Sequence, residues 1–500
     1  MIIEEASIYL FYYMPLHRFS FCLLLLLSLF LLMPMCLLAG RTQAWPKAWS
    51  EIPASGTPFP FVVSSHEPHT ITLLLDGLSE IETRLELIDQ AKETICFETF
   101  IFMVDRAGRL ILQALARKAR EGVKVRLLID KSPYFGGAID FTRELRRAGV
   151  DVRLYNPRSG WLQPERAKWR DHRKYLSIDG KCAIVSGRNQ GDDYFGLNPQ
   201  FNFQDSGLFI KGPIIRDLDR VFTAFFEHPY ARVVSASSSS DLKLAELFRP
   251  SREDTGFRLM IRNLSKQRQR ALPSATVTNL MVASDQPGRG NSRRIVHDIL
   301  WGRIAGVKSS MTLISPSFIN LDRGARSVLH RLLNDYVSIT VCTDRYPTAR
   351  SSWVSRIIHG ITNDQMKYWE KMGMKVLDFD RLSFDNESQA VLSKFLRRAD
   401  PNTSDSNKRL DAIVSSLHSK TVVFDHQDFM LGSYNFDPQS RYYSSEMVLF
   451  VQDCPELASC LEKAIKPVGN SHNSTISRKV RTFWKPLLNW IGVSFLSIFF

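Results

Sequence analysis

Two stretches of the chain carry the same residue types at the same spacing. His172 and Lys174 are followed by Asp179, with Asn189 17 residues beyond the histidine. His418 and Lys420 are followed by Asp425, with Asn435 again 17 residues beyond. Each copy lies in an apolar-alternating stretch, 174–178 and 420–424, whose period predicts a strand. Residues two apart in a strand project from one face. Each copy therefore presents an imidazole and an ammonium together, and a strand–turn–strand returns the asparagine beside them. Two imidazoles, two ammoniums and two amides suit a tetrahedral phosphate. The lysines and amides neutralise and hydrogen-bond its non-bridging oxygens. One imidazole attacks phosphorus and the other protonates the leaving alcohol. This chemistry calls for neither a metal nor a cofactor. Asp179 and Asp425, at the strand ends, are placed to brace the strand–turn rather than to touch substrate. One such spacing arises by chance. Here both copies also reach their asparagine through two small residues and a larger one, Ser186-Gly187-Arg188-Asn189 and Gly432-Ser433-Tyr434-Asn435.

The elements that must position these groups repeat as well. In the first half, 94–102 reads as a strand, 109–121 as a helix ending at Gly122, and 123–128 as a strand. A helix over 141–148, ending at Gly149, and a strand over 150–154 follow. In the second half the same order runs through 310–314, 325–333, 337–342, 364–372 and 374–379. Strands alternating with helices predict βαβ units, an α/β fold and a largely parallel sheet in each half. The halves are expected at 65–235 and 276–460, joined by a linker at 236–275. That linker opens on a serine-rich run, and Lys266, Arg268 and Arg270 follow as solvated residues. A polar stretch at 400–408 reads as an inserted loop.

The 500 residues carry 65 Lys and Arg against 51 Asp and Glu, a net charge of +14. At 44% hydrophobic and 23% charged, the composition excludes a disordered or fibrous chain. Seven cysteines without a CxxC pair argue against a disulfide scaffold and a structural zinc site. The surplus charge suits anionic partners: nucleic acid, acidic lipid or a phosphorylated substrate. From Phe19 to Gly40 no residue is charged. That run is long enough, at about 1.5 Å per residue, to cross a hydrocarbon core of about 30 Å. Residues 1–45 are therefore expected as an apolar helix, a membrane anchor or a signal. The run is long for a cleaved signal, and Leu37-Leu38-Ala39-Gly40 is a poor cleavage site, which favours the anchor. At the other end, Lys463 to Phe500 holds six basic residues, no acidic one, and Phe483, Trp484 and Trp490. A basic, aromatic tail over 461–500 suits a membrane interface; a helix docked on the protein's own core is the alternative.

On the paired motifs the chain resembles the phospholipase D superfamily, from about Thr70 to Phe450. The resemblance implies two α/β/α halves about a pseudo-two-fold axis, with one active site at their interface. It implies a covalent phosphohistidine intermediate, with His172 as nucleophile and His418 as general acid. It further implies an acid along each half that orients a histidine. Asp205, in Asn202-Phe203-Gln204-Asp205, and Glu446, in Ser445-Glu446-Met447, occupy those places. Within the superfamily, residues 186–195 and 432–441, Glu227-His228-Pro229-Tyr230 and Ser284-Asp285 resemble the bacterial cardiolipin synthase C type. Ser186 stands where that family usually has Gly, and Gln439 where it usually has Arg.

The resemblance implies a membrane-associated phosphatidyltransferase of the bacterial inner membrane. Its substrates would be phosphatidylglycerol and, as a second lipid, phosphatidylethanolamine. A phospholipase D that hydrolyses phospholipids to phosphatidic acid uses the same residues, because acceptor choice depends on pocket shape and water exclusion. A phosphodiesterase nuclease is the weaker reading, since both ends suit a membrane, and nucleic acid is not expected as a partner. A non-catalytic scaffold is disfavoured by complete residue sets in both halves. His66, His69, His297 and His426 lack such partners along the chain and receive no catalytic role.

Overall fold

The runs at 94–102 and 310–314 supply strands that are buried along almost their whole length, one in each of two sheets. The computed structural model describes residues 61–131, 138–156, 168–233, 248–269, 272–288, 294–319, 321–344, 353–379, 391, 395 and 414–464. The expected anchor at 1–45, the serine-rich start of the linker, the insert at 400–408 and the tail beyond 464 lie outside the described residues. No helix among the described residues is long and apolar enough to cross a membrane.

β1 (Val62–Ser65) and β2 (His69–Leu74) lead into α1 (Gly77–Gln90). Then come β3 (Thr94–Thr99), α2 (Arg106–Arg120), β4 (Lys124–Asp130), α3 (Ala138–Arg147) and β5 (Asp151–Tyr155). The first half continues with β6 (Tyr175–Ile178), β7 (Cys182–Ser186), β8 (Phe201–Gln204), β9 (Gly207–Lys211), α4 (Ile215–Phe226) and β10 (Ala231–Arg232). Next are α5 (Arg252–Gln269), β11 (Ser274–Val277), β12 (Leu280–Ser284) and α6 (Ile295–Ala305). The second βαβ run is β13 (Ser310–Ile314), α7 (Arg323–Asn334), β14 (Ser338–Thr343), α8 (Trp353–Lys371) and β15 (Lys375–Asp378). The chain closes with β16 (Val414–Leu417), β17 (Thr421–Phe424), β18 (Asp428–Gly432), α9 (Pro438–Tyr442), β19 (Met447–Val451) and α10 (Pro455–Lys463).

Helix α2 shows why the expected elements form. Leu110, Ile111, Ala114 and Leu115 recur on one face and are buried. The Asp105 carboxylate caps its first turn by accepting from the Gly108 N–H at 3.0 Å. Gly122, at φ +93°, lets the chain leave the helix in a left-handed conformation.

Among the described residues the first sheet runs β10-β5-β4-β3-β6-β7-β9-β2-β11, and the second β1-β12-β19-β18-β17-β13-β14-β15. Reading the second in reverse gives the pattern of the first without its two-residue edge strand β10. The sheets are mixed, not largely parallel as the alternation predicts. Only β3-β4-β5 and β13-β14-β15 are parallel. The short turns after Ile178 and Phe424 make hairpins of β6-β7 and β17-β18, and each hairpin joins its parallel trio antiparallel.

Two features depart from a simple pair of halves. β1 precedes the first half yet pairs with β12 in the second sheet, while β11 precedes the second half and pairs with β2 in the first. The halves thus exchange an edge strand. The stretch read as a solvated linker is also structured. Phe257, Met260 and Ile261 of α5 lie in the first half's core with Leu78, Leu85 and Ile88. Phe257, Met260, Ile261 and Leu264 follow helical spacing, a signal outweighed at first sight by the basic residues around it. Finally, β8 and β16 pair in parallel across the halves. All of these elements belong to one compact unit, Pro46–Phe500.

Candidate active site

The two motifs sit at equivalent places, just ahead of β6 and β17. The strands begin one residue after the lysines, so the His-x-Lys segments are irregular backbone held from outside. The Lys174 Nζ donates to the His172 carbonyl at 2.6 Å. Lys420 Nζ donates likewise to the His418 carbonyl and stands 2.9 Å from that residue's Nδ1. Both lysines are buried, whereas the imidazole side chains keep 10% and 16% of their surface. The imidazoles are the groups a ligand can reach.

Each histidine is oriented by the other half. His172 Nδ1 lies 3.0 Å from Glu446 Oε2 and 3.1 Å from the Ser433 carbonyl. His418 Nδ1 lies 2.5 Å from Asp205 Oδ2. The backbone repeats the crossing: the His172 N–H donates to the Ser445 carbonyl at 3.0 Å, and the His418 N–H to the Gln204 carbonyl at 2.7 Å. Those carbonyls belong to the residues just before Glu446 and Asp205. A carboxylate on Nδ1 fixes the Nδ1–H tautomer and leaves Nε2 with its lone pair for chemistry.

The two copies reach this arrangement with opposite residues. In the first half Gly187 lets Asp205 lie flush against the backbone; a Cβ there would fall 2.3 Å from Asp205 Oδ1. In the second half Ser433 stands at that place and its hydroxyl donates to Glu446 Oε2 at 2.5 Å. One position earlier the roles reverse. A Cβ on Gly432 would fall 2.3 Å from the Met447 carbonyl, while the Ser186 hydroxyl donates to Glu80 Oε2 and accepts from the Arg188 N–H, both at 3.1 Å. Ser186, unusual for the family, is thus tied into a buried network. In that network the Arg188 guanidinium donates to Glu80 at 2.5 Å and to the Asp205 carbonyl. Tyr434 takes the place of Arg188 in the second half and lies 2.6 Å from His297 Nδ1.

The charges differ accordingly. Burial works to raise the Asp205 carboxyl, but Lys420, His418 and Arg188 outweigh it and hold it below the usual carboxylate range. Burial pushes Glu446 up to about 7, against the pull of Lys174. Burial, then Lys174 and Lys420, press His172 well below the usual imidazole value. Burial and Lys420 take His418 down to about 3, against the pull of Asp205.

Eight of the ten residues singled out by spacing and resemblance belong to this cluster. Asn189 Oδ1 accepts from the Ile101 N–H at 3.2 Å, and its side chain is hydrogen-bonded to Tyr194, whose ring lies 5.3 Å from His418. The Asn435 N–H donates to Ser440 Oγ at 3.1 Å, and Ser440 donates to Glu446 at 2.7 Å. Asp179 and Asp425 stand apart. Asp179 accepts the N–H groups of Lys92, Glu93 and Thr94, and Asp425 those of Lys308, Ser309 and Ser310. Apolar rings flank the imidazoles: Phe100 at 4.8 Å from His172, and Phe203 at 5.2 Å from His418.

Several supporting residues received no role from the sequence. Asp285 accepts the Glu446 N–H at 3.0 Å and the Val296 N–H at 3.1 Å. His297 looked unpaired because its partner Tyr434 is far away in sequence. Gln439 commits its amide N–H groups to the Lys168 carbonyl at 2.7 Å and Ser444 Oγ at 3.1 Å, locking α9 to the segment ahead of His172. Among the described residues no group of three His, Cys, Asp or Glu is arranged to hold a metal ion.

The duplicated half, the crossed acids and the paired motifs define a class. The family model described as "Cardiolipin synthase, PLD-like domain" matches residues 85–225 and 301–467, more than half of the chain. The chain belongs to this phospholipase D-like family. It is 26% identical over 409 residues to cardiolipin synthase C of Escherichia coli (strain K12), covering 77% of this chain and 82% of that protein. It is 33% identical over 153 residues to cardiolipin synthase A of Pseudomonas putida (strain W619), covering 30% of this chain and 32% of that protein. Among solved structures, phosphatidylserine synthase of Haemophilus influenzae Rd KW20 aligns with a TM-score of 0.55 at 15% identity, covering 79% of this chain and 84% of that one. That likeness concerns the fold.

Proposed function

We propose that the protein is a phosphatidyltransferase that makes cardiolipin by way of a phosphohistidine intermediate. The observation that carries this reading is the crossed pair of histidine–carboxylate contacts set over two buried lysines. His172 Nε2 attacks the phosphorus of phosphatidylglycerol, forming a P–N bond as the bond to the glycerol headgroup breaks. His418 gives its proton to the departing alkoxide. A hydroxyl of a second phosphatidylglycerol then attacks, gives its proton to His418, and the P–N bond breaks. Lys174, Lys420, Asn189 and Asn435 bind the phosphate oxygens, while Asp205 and Glu446 position the histidines.

The order of roles rests on the unequal acids. Ionised Asp205 supports an imidazolium on His418, as a general acid requires. Glu446, held less firmly in its ionised form, accepts from the His172 Nδ1–H and leaves an uncharged imidazole with Nε2 as the nucleophile. His418 titrates low without substrate, and the phosphodiester's negative charge opposes the lysines and raises it on binding. Residues 1–45 serve as the membrane anchor and 461–500 as an interfacial tail flanking halves at 65–235 and 276–460, in the bacterial inner membrane. Phosphatidylethanolamine is a candidate second lipid.

Labelled phosphatidylglycerol in detergent micelles, with and without phosphatidylethanolamine, tests the reading. Labelled cardiolipin is expected; phosphatidic acid alone would make the protein a hydrolase. His172→Ala and His418→Ala should each abolish turnover in a protein that stays folded.

A further inference from the structure

Met103 and Val104 are 46% and 37% exposed, although the loop they end begins at Phe100, whose ring packs on His172. Their exposure is built in. The Met103 N–H donates to the Gln190 carbonyl at 2.8 Å. The Met103 carbonyl is pressed so close to α2 that a Cβ on Gly108 would meet it at 1.8 Å. The repeat shows that the fold itself does not demand an exposed side chain here. The equivalent residue, Ile319, makes the equivalent hydrogen bond to the Phe436 carbonyl and is only 5% exposed. A rigid frame thus holds two apolar side chains in water one loop away from a reacting imidazole.

A second patch adjoins the site from the other half. Tyr442 at the end of α9 is 44% exposed, and α9 is bound to Glu446 through Ser440. Lys168 Nζ lies 5.2 Å from the centre of the Tyr443 ring. Tyrosines beside a cation suit the headgroup layer of a bilayer, where one end of the ring is apolar and the other wet. Met103 and Val104 suit the acyl boundary beneath it. These lips meet at His172: Phe100, at the start of the Met103 loop, packs on its ring, and Glu446, held by Ser440 of α9, lies 3.0 Å from its Nδ1. A double-chain lipid can bring its phosphate there without passing its chains through water only if the bilayer meets the lips, since each CH₂ exposed costs about 0.8 kcal/mol.

We propose that Met103–Val104 and Tyr442–Tyr443 seat the mouth of the active site directly on a phospholipid bilayer, with Met103 and Val104 entering the acyl boundary. This rests on the phosphatidyltransferase reading. The test compares the full chain with a Met103→Asp/Val104→Asp variant of unchanged thermal midpoint. Two substrates are used: vesicles of phosphatidylglycerol and phosphatidylethanolamine, and a short-chain phosphatidylglycerol below its micellar concentration. On vesicles the variant should lose about tenfold or more in rate, and on the dispersed lipid it should stay within about twofold of the parent. Equal rates on vesicles would overturn the proposal. An unmutated chain that turns over neither lipid would overturn the transferase reading instead. In that event Met103→Trp still decides the lip, because brominated-lipid vesicles should quench its added fluorescence relative to the parent. Absence of quenching would sink the idea.

Discussion

Lys174 and Lys420 are withdrawn from water behind the two imidazoles, and burial is the main cause of their unusual titration. Burial, then the field of Lys420, brings Lys174 down to about 7; burial brings Lys420 down to about 8. An ammonium is charged below its pKa, so the charge needed on the phosphate oxygens is present at lower pH and lost as pH rises through 7 to 8. kcat/KM should therefore fall across that window. The basic limb of kcat should lie higher, because a bound phosphodiester favours the charged lysines. A pH–rate profile checks both, and a kcat/KM flat through the window would remove the lysines from that role. Gly187 gives a second expectation. Gly187→Ala drives a methyl into Asp205 Oδ1 and displaces the carboxylate from His418, at a cost on the order of a hundredfold in kcat. Stopped-flow or steady-state turnover of the purified variant, with its folding checked by circular dichroism, reads this out. The residue types of the site were legible because the two copies repeat them at fixed spacing. Which acid serves which histidine was not, because spacing within a half says nothing of contacts between halves. Arg188 and Tyr434 were equally silent, since their partners Glu80 and His297 lie in distant helices.

Among the elements, the turns after β6 and β17 show what the motif aspartates do. Asp179 and Asp425 sit at φ +53° and +50°, a strained region for a non-glycine residue. Each repays that strain by accepting N–H groups from the loop ahead of β3 or β13. Burial works to raise both carboxyls, and these donors outweigh it and hold them below their ordinary value. For a lowered carboxyl the stabilisation is full above the unfolded pKa and lost as pH falls through the folded one. Asp179→Ala should lower stability by about 1–2 kcal/mol, allowing for partial exposure, and should lose that difference in acid. Chemical denaturation at neutral and low pH measures it. Turnover per folded molecule should remain near that of the parent; a collapse of kcat would put Asp179 in the chemistry. The βαβ runs were readable because helical and strand periods differ. Of the antiparallel half of each sheet only the strand–turn–strand at the motif was readable. The strands that extend it, β9, β2 and β11 in one sheet and β19, β12 and β1 in the other, were not, because most of their partners lie far away in sequence.

At the scale of the whole molecule, the two halves are joined by more than a covalent link. β1 completes the second sheet and β11 the first, so neither half holds all of its own edge. Removing residues 1–66 should therefore loosen β12, its partner across the molecule, and leave β2 protected. Hydrogen exchange followed by mass spectrometry would show faster exchange at Leu280–Ser284, and faster exchange at His69–Leu74 instead would contradict the pairing. The reciprocal contacts also constrain ancestry. A lone half places its acid where it cannot reach its own histidine, and leaves its sheet short of a strand that only a second copy supplies. A single-half ancestor could have worked only as a strand-exchanged homodimer, with fusion of two gene copies following an already functional pair. In such a homodimer the two acids, and the residues behind them, were identical by necessity. The contrast between Arg188 and Tyr434 became possible only once one chain carried both copies.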